Sequence, residues 1–179
     1  MKSVPVLCFV GTSNSGKTTL IEKVIGLLTG WGYKVATVKH THKGFNMDME
    51  GKDSRRHKSA GAKTVVISSP AQFAVISDTD RELTIDDVLA RFVRDIDILI
   101  VEGFKKDAYP KIEVHRSGVS SDLRCLNDPS VIAVASDSSS DLHIPRFDID
   151  DAEGISRFIE ERFLKNNIPI KQEGRGYND

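Results

Sequence analysis

Cysteine is nearly missing from this chain: Cys8 and Cys125 are the two among 179 residues, far apart and in no C-x-x-C pair. That excludes a disulfide-framed scaffold and a cysteine-built zinc site, and it reads as two reduced, buried thiols in a cytosolic protein. No apolar run approaches the length needed to span a membrane. Neither sign of charge dominates, with 25 Lys and Arg against 26 Asp and Glu and a net charge of −1. Without a polybasic field or an acidic tail, neither nucleic acid nor an anionic membrane is expected as the main partner. The opening Met1-Lys2-Ser3-Val4-Pro5 has no signal-peptide architecture, so a cytoplasmic location is expected. Internal repeats are lacking too.

What is present is an ordinary globular composition, 39% apolar and 28% charged. A single domain over 1–167 is expected, with a polar, glycine-containing tail over 168–179 expected to be mobile. Apolar runs alternate with helical patterns, which argues for an α/β fold with a mostly parallel sheet. The expected strands are Val4–Val10, Tyr33–Lys39, Ile96–Val101, Lys111–His115 and Val131–Ala135. Helices are expected over Lys17–Trp31, from an Asp53 cap to Ala60, from a Thr84 cap to about Arg94, and over Asp150–Lys165. Two β-rich runs, Thr64–Ser69 and Gln72–Ser77, flank Pro70-Ala71 and read as an antiparallel hairpin.

Residues Gly11-Thr12-Ser13-Asn14-Ser15-Gly16-Lys17-Thr18 spell G-x-x-x-x-G-K-[ST], between the first expected strand and the first expected helix. That is the setting a phosphate-binding loop needs, because the helix then aims its first amides at an anion. Gly11 lets the chain leave the strand, and Gly16 lets the backbone approach phosphate closely. Amides from about Asn14 to Thr18 form an anion nest. Lys17 suits the β- and γ-phosphates, and the Thr18 hydroxyl suits Mg2+. For Thr19, contact with the α-phosphate and a plain helical role stand as equal readings.

Such a loop requires an acid at the end of a neighbouring strand. Glu102 closes the apolar run that begins near Asp97 and stands at the carboxyl edge, where open α/β sheets bind ligands; Asp97 belongs at the far end. Gly103 would relieve crowding there, and Lys105 and Lys106 read either as phosphate contacts or as solvated charges. The loop Lys39-His40-Thr41-His42-Lys43 is followed by Asp48, which reads either as a water-mediated Mg2+ contact or as a turn residue. His40 and His42 share a face if the strand continues, yet no third ligand follows at a zinc spacing. His57, beside Arg55 and Arg56, reads as surface. The Asn-Lys-x-Asp pattern that reads guanine in common GTPases is absent. Asn127, Asp128 and Asp137 are the remaining candidates, with turn or cap roles equally open.

Taken together these segments resemble the MobB family, the molybdopterin-guanine dinucleotide biosynthesis adaptors. The matching stretches are FVGTSNSGKTTLIEKVI at Phe9–Ile25, VATVKHTHKGFNMDMEGKDSRRHKSAGA at Val35–Ala62 and DILIVEGFKKDAYPKIEVHR at Asp97–Arg116, with VIAVASD at Val131–Asp137 as a weaker fourth. The phosphate loop is common to many NTPases, whereas the histidine-bearing stretch combined with VEGFK is far more diagnostic. The resemblance implies a three-layer P-loop NTPase-like fold with a β-hairpin extension, GTP rather than ATP, Mg2+, slow hydrolysis and a homodimer. It also implies a MobA-like guanylyltransferase and molybdopterin as partners. Carried over by position, Gly11, Thr12, Ser13, Asn14, Ser15, Gly16, Lys17, Thr18 and Thr19 bind the triphosphate. Thr18, Glu102 and Asp48 belong to the metal, Lys17, Glu102 and Asp48 to any hydrolysis, and Asp137 to the nucleotide.

Three functional classes follow from the residues: an adaptor GTPase, a P-loop small-molecule kinase with Asp48 as base, and a non-catalytic carrier of pterin or nucleotide. A metallochaperone, resting on His40 and His42 alone, is a more distant fourth. No resident arginine is evident from spacing to assist hydrolysis, leaving Arg55, Arg56 or a partner's arginine.

Overall fold

The apolar run Val-Leu-Cys-Phe-Val forms β1 (Val6–Val10), buried on both faces as expected for a strand inside a parallel sheet. The computed structural model describes residues 4–41, 44–45, 52–119, 123, 128–139 and 142–165. His42, Asp48, Cys125, Asn127 and the tail over 168–179 lie outside the described residues. The chain divides into two compact units, Met1–His40 with Asp95–Asp179, and Thr41–Arg94.

In the first unit, β1 leads through the phosphate loop into α1 (Lys17–Gly30), followed by β2 (Val35–Lys39). After the second unit the chain returns as β5 (Ile98–Glu102), β6 (Lys111–His115), β7 (Val131–Ser136) and a two-residue β8 (Arg146–Phe147). The last helix is α4 (Ala152–Ile159), extended by a π-helical turn at Glu160–Leu164 where one continuous helix is expected from sequence. The short β8 has no sequence signal strong enough to call it. The six strands run in the order β2-β5-β1-β6-β7-β8, every pair parallel.

Alternation along the strands sorts their side chains. Leu7, Phe9, Ile98, Ile100, Ile112 and Val114 join Leu20, Val24 and Leu28 of α1 and Ile155 and Ile159 of α4 in one cluster. The opposite set, Cys8, Leu99 and Val101, is buried completely as well. Removing that much apolar surface from water, at roughly 25 cal/mol per Å2, is what holds the sheet and its helices together. Gly32 ends α1 in a left-handed conformation, φ +92°, as a helix-stopping glycine should.

A buried cation ties the amino-terminal ends of β6 and β7. Lys111 is 2% exposed and donates to the Asp107 carbonyl, to Ser130 Oγ and, at 3.0 Å, to Asp128 Oδ2. Asp128, a candidate for reading guanine from sequence, is therefore committed at the edge opposite the phosphate loop. The correction has a simple cause: it precedes β7, whereas ligands of this fold meet the strands' carboxyl ends.

The second unit contains α2 (Asp53–Ser59), the antiparallel hairpin β3 (Thr64–Ser68) and β4 (Phe73–Ser77), and α3 (Ile85–Phe92). Asp53 is the first helical residue, with Lys52 at the cap. Thr84 caps α3 in a reciprocal box with Asp87, whose carboxylate also takes a two-pronged contact from Arg81 at 2.7 and 2.9 Å. Val66 and Phe73 of the hairpin are 60% and 69% exposed, an unusual display for apolar side chains.

Candidate phosphate-binding site

The carboxyl ends of β1, β2, β5, β6 and β7 share one edge of the sheet, because the strands are parallel and closely in register. Phe9 lies beside Glu102, Lys39 beside Glu102, and Val10 beside Glu113. The loop between Val10 and Lys17 opens from the middle of that edge. A side chain at Gly11 would put its Cβ 2.2 Å from the Val114 carbonyl oxygen, so only glycine fits there. Asn14 and Gly16 both take positive φ, +63° and +93°. Gly16 caps α1 without a side-chain hydrogen bond, so the first-turn amides keep no partner from the helix or from a capping side chain. Ser15 Oγ is fully buried beside Gly11 and has no hydrogen-bond partner among the described residues.

Lys17 folds back over this loop, its Nζ donating to the Thr12 carbonyl at 2.5 Å. Partial burial lowers its pKa from the ordinary value; Glu102 works against that shift, while Lys105 and Lys39 reinforce it. Thr18 donates its hydroxyl to the Glu102 carboxylate, 3.0 Å from Oε1 and 3.2 Å from Oε2. Lys39 Nζ stands 3.3 Å from the same Oε2. Thus Lys17, Thr18 and Glu102, assigned to one site from sequence, are brought together. Thr19 follows within α1.

Glu102 is also fixed by its backbone. Its carbonyl accepts from His40 N–H at 2.9 Å, and Gly103 N–H donates to the Phe9 carbonyl at 3.0 Å. Gly103 sits at φ +110°, and a Cβ there would come within 3.1 Å of His40 Cβ. The His40 ring packs at 4.4 Å against Phe104. Asp97, by contrast, accepts from Lys34 N–H at 2.7 Å, at the opposite end of β5. Among the described residues no group of three or more His, Cys, Asp or Glu side chains converges as a metal cage.

Asp137 follows β7 on the binding edge, where its Oδ1 accepts from Ser117 N–H at 2.8 Å. That backbone donor, more than any other partner, holds its carboxyl below the ordinary value. Arg116 is a residue that spacing alone did not single out. Its Nη2 lies 3.5 Å from the point a Cβ on Gly16 would occupy. The sequence does carry a signal for it: in Lys111–Arg116 the alternate residues Ile112 and Val114 face the core beneath α1, and Arg116 is the next on that face.

The loop's donor set fits a polyphosphate. Free first-turn amides, three positive-φ positions, an ammonium group and a hydroxyl paired with a carboxylate are the parts such a ligand requires. No described helix is long and apolar enough to cross a membrane.

Comparison with known proteins agrees with this geometry. Residues 6–137 match the family model described as MobB, molybdopterin guanine dinucleotide synthesis protein B. The chain is 36% identical to the molybdopterin-guanine dinucleotide biosynthesis adapter protein of Haemophilus influenzae, over 88% of each chain. It is 35% identical to the adapter protein of the same name from Escherichia coli, covering 92% of this chain and 96% of that one. A crystal structure of molybdopterin-guanine biosynthesis protein B superposes with a TM-score of 0.70 at 32% identity, over 87% of this chain and 98% of the other. With its all-parallel sheet, its phosphate loop and its match over most of its length, the chain belongs to the MobB family.

Proposed function

We propose that this protein is a GTP-binding adaptor with slow, Mg2+-dependent GTPase activity, assisting the conversion of molybdopterin to its guanine dinucleotide. The relatives' shared name supports the pathway. The observation that carries the nucleotide reading is the Thr18–Glu102 hydrogen bond at the mouth of the phosphate loop. A hydroxyl and a carboxylate so joined supply two oxygen ligands for Mg2+, which otherwise keeps its waters and phosphate oxygens. When bound, Mg2+ would neutralise charge on the phosphates; Lys17 would leave the Thr12 carbonyl to do the same. Asp48 is assigned to the same metal, through water, on the family resemblance. Asp137 is assigned to the nucleotide on the family resemblance. Cytoplasmic location, a homodimer and a MobA-like guanylyltransferase as partner complete the proposal, with the exposed Val66 and Phe73 hairpin as apolar surface available to a protein.

Calorimetry comparing GTP with ATP in excess Mg2+, repeated with molybdopterin and the guanylyltransferase present, tests this reading. GTP is expected to bind more tightly, and the partner to be stimulated. Hydrolysis at tens per second by the isolated protein would overturn the adaptor role.

A further inference from the structure

Two sides of the phosphate loop carry different groups. Because β1 lies between β5 and β6, the loop that leaves it has the Thr18–Glu102–Lys39 group on the β5 side and Arg116 on the β6 side. Arg116 is exposed, just past the end of β6, and its guanidinium lies over Gly16 at the start of α1, beside Ile149. Asp137, the neighbouring carboxylate that interacts with it electrostatically, is itself occupied at Oδ1 by the Ser117 amide.

A polyphosphate laid across the loop has distinguishable ends. The hydroxyl–carboxylate pair that suits Mg2+ fixes the end carrying the terminal phosphate. Arg116, on the other side of β1, stands at the end that joins the nucleoside. A planar fork of guanidinium donors suits phosphate oxygens better than any other group in the site. We propose that Arg116 contacts the α-phosphate of the bound nucleotide and contributes equally to the affinity for the diphosphate and the triphosphate. This rests on the nucleotide-binding reading above.

Calorimetry with GDP and with GTP, both in excess Mg2+, on the wild-type chain and Arg116→Ala tests the assignment, together with single-turnover hydrolysis of GTP at saturation. The expected result is a loss of about 10- to 100-fold in both affinities, by the same factor. Arg116→Lys should recover part of the loss, because it keeps the charge and forfeits the fork. Matching urea midpoints establish that each variant is folded. Unaltered affinities overturn the proposal. So does a loss confined to GTP with slowed turnover, which would put Arg116 at the terminal phosphate. Wild-type protein that takes up neither nucleotide sinks the broader reading as well, an outcome distinct from either.

Discussion

Thr18 and Glu102, 84 positions apart in the chain, share a hydrogen bond in which one hydroxyl meets both oxygens of one carboxylate, at 3.0 and 3.2 Å. The pair joins the first turn of α1 to the end of β5 at the mouth of the phosphate loop.

Glu102→Gln keeps an acceptor for Thr18 and removes the charge. The stimulation of GTP binding by Mg2+ should fall about tenfold, while affinity measured in a chelator stays near the wild-type value. Calorimetry at two metal concentrations reads this directly. An unchanged metal dependence would remove Glu102 from the cation's surroundings.

Gly11→Ala should be among the most damaging substitutions in the chain. The added methyl lies 2.2 Å from a backbone oxygen of β6, at a φ of +151° that side chains rarely adopt. Overpacking and backbone strain together should cost about 2–4 kcal/mol, visible as a lower urea midpoint and lost GTP uptake. Stability equal to wild type would mean the loop leaves β1 by a different path.

The Lys111–Asp128 pair should shape acid stability. Hydrogen bonds from Ser130 above all, aided by Lys111, lower the Asp128 carboxyl from 3.8 to about 2. A carboxyl depressed on folding stabilises the native state above its unfolded value and loses that contribution as pH falls through the folded one. The wild-type chain should therefore lose stability between about pH 4 and pH 2 through this group, and Asp128→Asn should lack that segment. At neutral pH the same variant should be weaker by about 1–3 kcal/mol, because Lys111 stays buried with one acceptor fewer. Urea titrations from pH 2 to 7 provide the test.

Cys8 should be inert. Burial pushes its thiol up to about 12, with Lys111 opposing that shift. In a Cys125→Ser background, a thiol reagent at pH 8 should modify the native chain only after urea is added. Rapid modification without denaturant would show that β1 is open to solvent.

Much of this was readable in the residues. Apolar runs located the five main strands, and G-x-x-x-x-G-K-T placed the loop between strand and helix. Glu102 followed from standing last in its apolar run. Three features escaped for physical reasons. The pair Arg146 and Phe147 joins the sheet through tertiary pairing that two residues cannot announce. Asp128 resembled a ligand because acidic residues near strands look alike until one knows which strand end they occupy. Alternation puts Arg116 on the face of Ile112 and Val114, but that this face meets the loop depends on β6 neighbouring β1, which only strand order holds.

That strand order also dictates when the pocket can exist during synthesis. The phosphate loop is made almost first, yet β1 pairs with β5 and β6 and β2 pairs with β5, so none of these pairings joins strands adjacent in the chain. Such pairings demand the closing of long chain segments, the slow kind of contact. A nascent polypeptide released from the ribosome before Lys111 would carry every residue of the loop and still lack the β6 wall on one side of it.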